Sequence, residues 1–298
     1  MTLTETVKRW IDQREINRAP STIYGYRTLL RKYIEPTAAG DMAIEDLDES
    51  DMIELLRPLI GRGCTRQAQL LQILVMAALK DACRRRWIPW NPMEGVEKIK
   101  HQSQLTPWLS VDQARQLLQS ARIREDPLYI AWVLMLCCGL RRGEMLGLRW
   151  TDVDFDQALL RVQRQRIRIA GDVLTTRLKS RSSARVIPLD EHILALLRLG
   201  RGRDGFILEG VTDRTLQIGL DRALAAAGLP RVTLHGLRHT MASVAAGEAV
   251  SIKILQGLMG HAHFSTTADI YAHVDQVPRL AAARTIAGTL LGARLEIV

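Results

Sequence analysis

Arginine, histidine and lysine gather at breaks in the pattern of this chain, and these residue types can place charge around a phosphoryl group without a metal. Phosphoryl transfer needs positive charge around a pentavalent phosphorus, an in-line nucleophile and an acid for the leaving oxygen. Arg141 lies in CCGLRRGEMLGLRW, just past an apolar run, where Gly139 permits a sharp change of direction. A helix starting at Arg142 leaves Arg141 on a turn beside free amide donors, a place suited to an anion, and Glu144 is in reach to hold the guanidinium. His235 and Arg238 come from TLHGLRHTMASVAA; spaced i, i+3 on a helix, both can reach one phosphate. His239 is expected to point elsewhere. His261 follows Gly260, where a helix must end, and Tyr271 stands ten residues on in GLMGHAHFSTTADIYAHV. Taken singly, each has a plainer reading: a helix-end arginine with a local ion pair, a capping histidine beside an exposed arginine, a half-buried packing tyrosine. His261 and His263 have no cysteine or carboxylate nearby to complete a zinc set, and no DxD- or DDE-type acidic cluster offers magnesium a site.

The elements that must position these groups are mainly helical. Thr2 and Glu5 predict a capping box ahead of an apolar face of Val7, Trp10 and Ile11. Pro20 and Ser21 open a second helix through TIYGYRTLLRKYI. Asp46 to Leu59 predicts a third, and Thr65 to Trp87 a long fourth with Leu70, Leu71, Leu74, Ala77 and Ala78 inward. Pro89 and Pro92 close this bundle. A polar, basic stretch follows, so the expected organisation is a helical domain over 1–95, a linker over 96–108 and a second domain over 109–298. In the second domain Ser110 and Gln113 cap a helix through Ala121, and Pro127 to Cys138 reads as a buried one. The period then changes. Leu159 to Ile169 is β-like, Gly171-Asp172 is a turn, and 173–178 and 184–189 are strand candidates. From Asp190 the pattern is helical again.

The 298 residues carry 41 Lys plus Arg against 32 Asp plus Glu, a formal +9, which fits a polyanionic partner. Most of the excess falls after residue 100. Arg161, Arg164, Arg166, Arg168, Arg177, Lys179, Arg181 and Arg185 face one acid, Asp172, and read either as a solvated strand pair or as a ribbon lying on phosphate. No apolar window is long enough to span a membrane, the N-terminus lacks a signal-peptide run, and Cys64, Cys83, Cys137 and Cys138 read as reduced core residues of a cytoplasmic protein.

Four segments together resemble the tyrosine recombinases of the phage-integrase family. GLRRGE resembles their first-arginine motif, LKSRSSARVIPL their β-hairpin lysine motif, LHGLRHT their HxxR box, and LMGHAHFSTTADIYAHV their closing segment. The motifs stand in the family's order over roughly residues 110–275. The resemblance implies a mainly α fold with a small antiparallel sheet: an N-terminal SAM-like core-binding domain and an α+β catalytic domain. It implies a site of Arg141, Lys179, His235, Arg238, His261 and Tyr271, braced by Glu144. Tyr271 would attack the scissile phosphate, Arg141 and Arg238 clamp its free oxygens, Lys179 protonate the leaving 5′-oxygen, His235 help deprotonate the tyrosine, and His261 hydrogen-bond the phosphate. No cofactor or metal is expected. The implied partners are double-stranded DNA attachment or core sites and a homotetramer on two duplexes passing through a Holliday junction, with room for an accessory DNA-bending or directionality protein. Arg66, Arg84, Arg85, Arg86, Lys98, Lys100 and Arg181 are the expected further phosphate contacts. Because the chain begins almost at the core-binding helices, recognition of core sites alone is expected. The apolar tail, with Leu295, Ile297 and Val298, is expected to pack on a neighbouring protomer or on its own domain. A type IB topoisomerase and a non-catalytic DNA-binding regulator on the same fold are the competing readings.

Overall fold

The computed structural model describes residues 1–101, 106–178, 183–200, 204–248 and 250–260. The chain divides into two compact units, Met1–Gln104 and Leu105–Val298. The first unit is a bundle of α1 (Leu3–Arg14), α2 (Pro20–Tyr33), α3 (Ala38–Asp41), α4 (Glu49–Gly61) and α5 (Thr65–Arg84). The Thr2–Glu5 box caps α1, so two amide donors that a helix start leaves free are satisfied from within four residues. Helix α4 begins later than its apolar pattern, because Asp48 caps it in a second such box with Asp51. The one-turn α3, which periodicity cannot reveal, is held by Thr37 at its N-cap. Leu71, Leu74 and Ala78 of α5 are buried against Val7, Trp10 and Ile11 of the same core; Leu70 and Ala77 pack at its edge. Each fully buried leucine contributes up to about 2 kcal/mol.

Much of the stretch expected as linker is docked on this bundle. The Gln72 amide donates to Glu97 O at 2.9 Å and its oxygen accepts from the Ile99 N–H at 3.0 Å. Gln69 donates to Ile99 O, and Thr65 pairs with His101 at 3.0 Å. Val96 and Ile99 pack on the core, leaving Lys98 and Lys100 exposed.

The second unit builds its core around α7 (Tyr129–Cys137), flanked by α6 (Val111–Ile123), which the Ser110–Gln113 box caps. The short α8 (Arg142–Gly147) follows, then strands β1 (Val153–Asp154), β2 (Leu159–Val162), β3 (Arg164–Ile169), β4 (Asp172–Arg177) and β5 (Arg185–Pro188). Four helices complete the described part: α9 (Glu191–Arg198), α10 (Asp213–Ala226), α11 (Leu234–Gly247) and α12 (Ile252–Met259). The β-like run 159–169 is not one strand. It breaks at exposed Gln163: β2 sits between β1 and β5 in a three-stranded antiparallel sheet, with Leu160 and Val162 buried in the core, while β3 pairs with β4 in a separate two-stranded sheet. The hairpin turn is Ala170-Gly171, both with positive φ as a two-residue hairpin of this hand requires, so Asp172 already belongs to β4. Of the four free thiols, only Cys138 is buried; Cys64 and Cys83 are half-buried and Cys137 is exposed. Among the described residues no helix is long and apolar enough to cross a membrane.

Candidate active site

The site is assembled around a chain reversal. Helix α7 ends at Cys137, and Gly139, at φ 59°, turns the chain back so that Leu140 enters the core and Arg141 becomes the residue before α8. A side chain at Gly139 would also press on the Met241 sulfur. The Arg141 N–H donates to Glu144 Oε2 at 2.9 Å, and its Nη1 donates to Glu144 Oε1 at 2.7 Å. One carboxylate thus satisfies the helix start and orients the guanidinium. Helix α8 can lie flat against β3 because Gly143 and Gly147 face it. A Cβ on Gly147 would stand 2.9 Å from Gln165 Cα.

Glu144 is 1% exposed and serves a second arginine: Arg185, the first residue of β5, donates Nη2 to Glu144 Oε2 at 2.9 Å. Burial opposes ionisation of Glu144, but the hydrogen bond and charge of Arg185, with the backbone and side-chain hydrogen bonds of Arg141, hold its carboxyl below the usual range. Arg238, at the start of the second turn of α11, is 1% exposed. Its Nη1 donates to Gly139 O at 2.5 Å and its Nη2 to Met259 O at 2.6 Å, while the buried Nε has no hydrogen-bond partner among the described residues. Burial, and after it the charge of Arg141, pushes this guanidinium down to about 9, so it stays charged at neutral pH.

The end of α12 joins these groups. Three successive carbonyls each accept from a different arginine: Leu258 O from Arg185 Nε at 2.6 Å, Met259 O from Arg238, and Gly260 O from Arg141 Nη2 at 2.8 Å. A helix C-terminus presents unpaired carbonyls and the negative end of its dipole, so three cations there are favourable. Gly260, at φ 63°, closes the helix in the left-handed conformation, as its position in the motif predicts.

His235 stands one turn before His239 on α11, and the two rings meet edge to face with centroids 4.8 Å apart. The expectation that His239 points elsewhere therefore fails, because i, i+4 residues share a helix face. His235 keeps an open side to solvent, yet the surrounding protein, then His239, Arg238 and Arg141, push its imidazolium down to about 4. It is a neutral ring at pH 7, able to take a proton.

Arg141, Glu144, His235 and Arg238 are thus brought together. Lys179, Arg181, His261, Tyr271 and the tail residues Leu295, Ile297 and Val298 lie outside the described residues. The ribbon of arginines is mostly engaged within the protein. Arg161 pairs with Asp154 at 2.8 Å, Arg164 with Asp152 at 2.6 Å, and Arg166 stacks on Phe206 and donates to Val211 O. Arg185 is buried, and only Arg168 and Arg177 of the described members are freely exposed. The partners Asp152, Asp154 and Glu144 lie outside 161–185, so the composition of that segment does not reveal these pairings. In the first unit, Arg84 and Arg85 are both paired to Asp81, Arg85 also reaching Gln13 and the Trp87 ring. Arg66 holds Gln69, and Arg86 is exposed.

The model of the phage integrase family matches residues 107–277, more than half of the chain. A tyrosine recombinase XerC-like protein of Caldanaerobacter subterraneus subsp. tengcongensis is 23% identical over 96% of this chain and 83% of its own length. The Tn1549 transposon integrase, solved with a circular intermediate DNA, superposes with a TM-score of 0.80 at 23% identity, over 96% of this chain and 99% of that one. Lambda integrase, solved as a tetramer on a Holliday junction, superposes at 0.70 and 20% identity, over 91% of this chain and 77% of that one.

Proposed function

The chain belongs to the phage integrase family and is a tyrosine recombinase, and from that premise we propose the following roles for its residues in site-specific cutting and rejoining of DNA. The observation that carries the assignment is an imbalance of charge: among the described residues Arg141 and Arg185 share one carboxylate, Glu144, while the clustered Arg238 is bonded only to backbone carbonyls. Buried cations without counter-ions are costly, and an anion, the scissile phosphate, balances them. The Nε of Arg238, without a partner among the described residues, is a donor for it.

Tyr271 loses its phenolic proton to His235, a neutral base before the reaction, and its oxygen bonds to phosphorus. An unassisted phenol near pKa 10 would be mostly protonated. The bond from phosphorus to the 5′-oxygen breaks, Lys179 protonates that oxygen, and a 3′-phosphotyrosyl ester and a 5′-hydroxyl result. Arg141 and Arg238 offset the charge on the non-bridging oxygens, His261 hydrogen-bonds them, and Glu144 keeps Arg141 aimed. The ester conserves the bond, so rejoining to the 5′-hydroxyl of another strand needs neither ATP nor metal. Exchange between two duplexes then takes four protomers, the arrangement in which lambda integrase is found on its junction. Arg66, Arg84, Arg85, Arg86, Lys98, Lys100 and Arg181 remain the candidates for holding the flanking backbone.

Covalent trapping tests this. Nicked duplexes tiled across DNA flanking the gene are incubated with wild type and Tyr271→Phe, without metal or ATP. A denaturing gel should show an adduct with wild type alone. Tight binding without an adduct would favour the regulator, and an adduct with Tyr271→Phe would disprove the nucleophile.

A further inference from the structure

We propose that Arg185 is a positioning residue for strand cleavage, acting through Glu144 on Arg141; this rests on the reading of Arg141 as a phosphate ligand. The side chain is 5% exposed and cannot itself lie on DNA. Its three kinds of N–H go to three separate segments. Nη2 holds Glu144 at 2.9 Å, Nε holds Leu258 O at 2.6 Å, and Nη1 holds Ser183 O at 3.2 Å.

Each segment adjoins a different part of the proposed machinery. Glu144 is the carboxylate that orients Arg141. Leu258 belongs to the run of carbonyls that also receives Arg238 and Arg141, three residues before His261. Ser183 stands four residues after Lys179. One planar fork therefore sets the relation of α8, α12 and the start of β5. Without it Glu144 would keep only Arg141 and could rotate away with it, and the end of α12 would lose one of its three ties. A lysine keeps the charge but offers a compact ammonium on a shorter reach, and cannot hold three divergent acceptors in one plane.

The test compares wild type and Arg185→Lys in single-turnover adduct formation on a suicide duplex, alongside affinity for the intact duplex. The scissile linkage is either ordinary phosphate or a methylphosphonate, which lacks the negative charge that Arg141 offsets. The variant should bind DNA as wild type does and form adduct roughly 10- to 100-fold more slowly on phosphate, the scale for misplaced catalytic groups. On methylphosphonate the gap should shrink to within about threefold, the sign that the defect runs through charge offset at the phosphate. A variant that retains that activity is folded, so the second substrate also controls for structure. Wild-type rates on both substrates, or the same defect on both, would overturn the role of Arg185 alone. No adduct from wild type on either substrate would overturn the catalytic reading together with it.

Discussion

At the scale of the residue, the site is governed by who shares a counter-ion with whom. Glu144 lies between Arg141 and Arg185, and breaking a buried pair of this kind costs about 3–5 kcal/mol because a charge is left without a partner. His235 gives a sharper test. Its imidazolium is held down to about 4 in the folded chain, against 6.5 in the open one, by the surrounding protein and then by His239, Arg238 and Arg141. Above pH 6.5 the ring is neutral in both states. Between 6.5 and 4 the unfolded chain takes up a proton that the folded chain refuses, so stability falls as pH falls. In DNA-free protein, the thermal midpoint measured from pH 7 to 4 should therefore drop less steeply in His235→Gln than in wild type. Equal slopes would contradict the crowding by cations. Signals of this size were partly legible beforehand. The Arg141–Glu144 pair has both partners within three residues, and spacing revealed it. Arg185 pairs with Glu144 from 41 positions away, and no local pattern distinguishes it from the exposed Arg177 earlier in the same segment.

At the scale of the element, capping boxes and glycines explain what was readable and what was not. Thr2, Ser110 and Gly260 mark helix ends through bonds made inside one turn, and the helices begin and end there. The break at Gln163 depends instead on where β3 finds a surface to lie on, and that surface is the glycine face of α8. Gly147→Ala should show this. The added methyl meets Gln165 Cα at 2.9 Å and Arg166 N at 3.0 Å, both backbone atoms that cannot swing aside. A loss of roughly 1–3 kcal/mol in urea unfolding is expected, as for overpacking in a core. Gly143→Ala should lose less, since its nearest contact is 3.2 Å. An unchanged midpoint for Gly147→Ala would mean that α8 and β3 are not held as closely as described.

At the scale of the whole molecule, the two units are each self-contained, and composition anticipated the stretch between them only in part. Residues 96–101 look like linker because they are polar and unpatterned, yet Gln72 of α5 holds their backbone by hydrogen bonds that a hydrophobicity profile does not register. Gln72→Leu removes those bonds while preserving bulk. Lys98 and Lys100, already exposed, should then become fast trypsin sites under native conditions, with cleavage there outpacing that of wild type by about tenfold on the scale of one or two lost hydrogen bonds. Mass spectrometry of the fragments reads this directly, and an unchanged rate would show that Val96 and Ile99 anchor the segment by themselves. The family's motifs, spread over 107–277, were visible only as an ordered set, because no single one departs from ordinary surface chemistry.

The end of α12 has a genetic consequence. Three guanidiniums hang from three successive carbonyls at the end of α12, and that end is seated by buried Leu255 and Met259, which pack with Ala242, and by Leu258 at the edge of the main core. The mutational target of catalysis is therefore wider than the residues that meet phosphate. A screen for chains that still bind DNA but no longer recombine would return lesions at Leu255, Met259 and Ala242 alongside those at the arginines, although none of the three carries a group that could do chemistry.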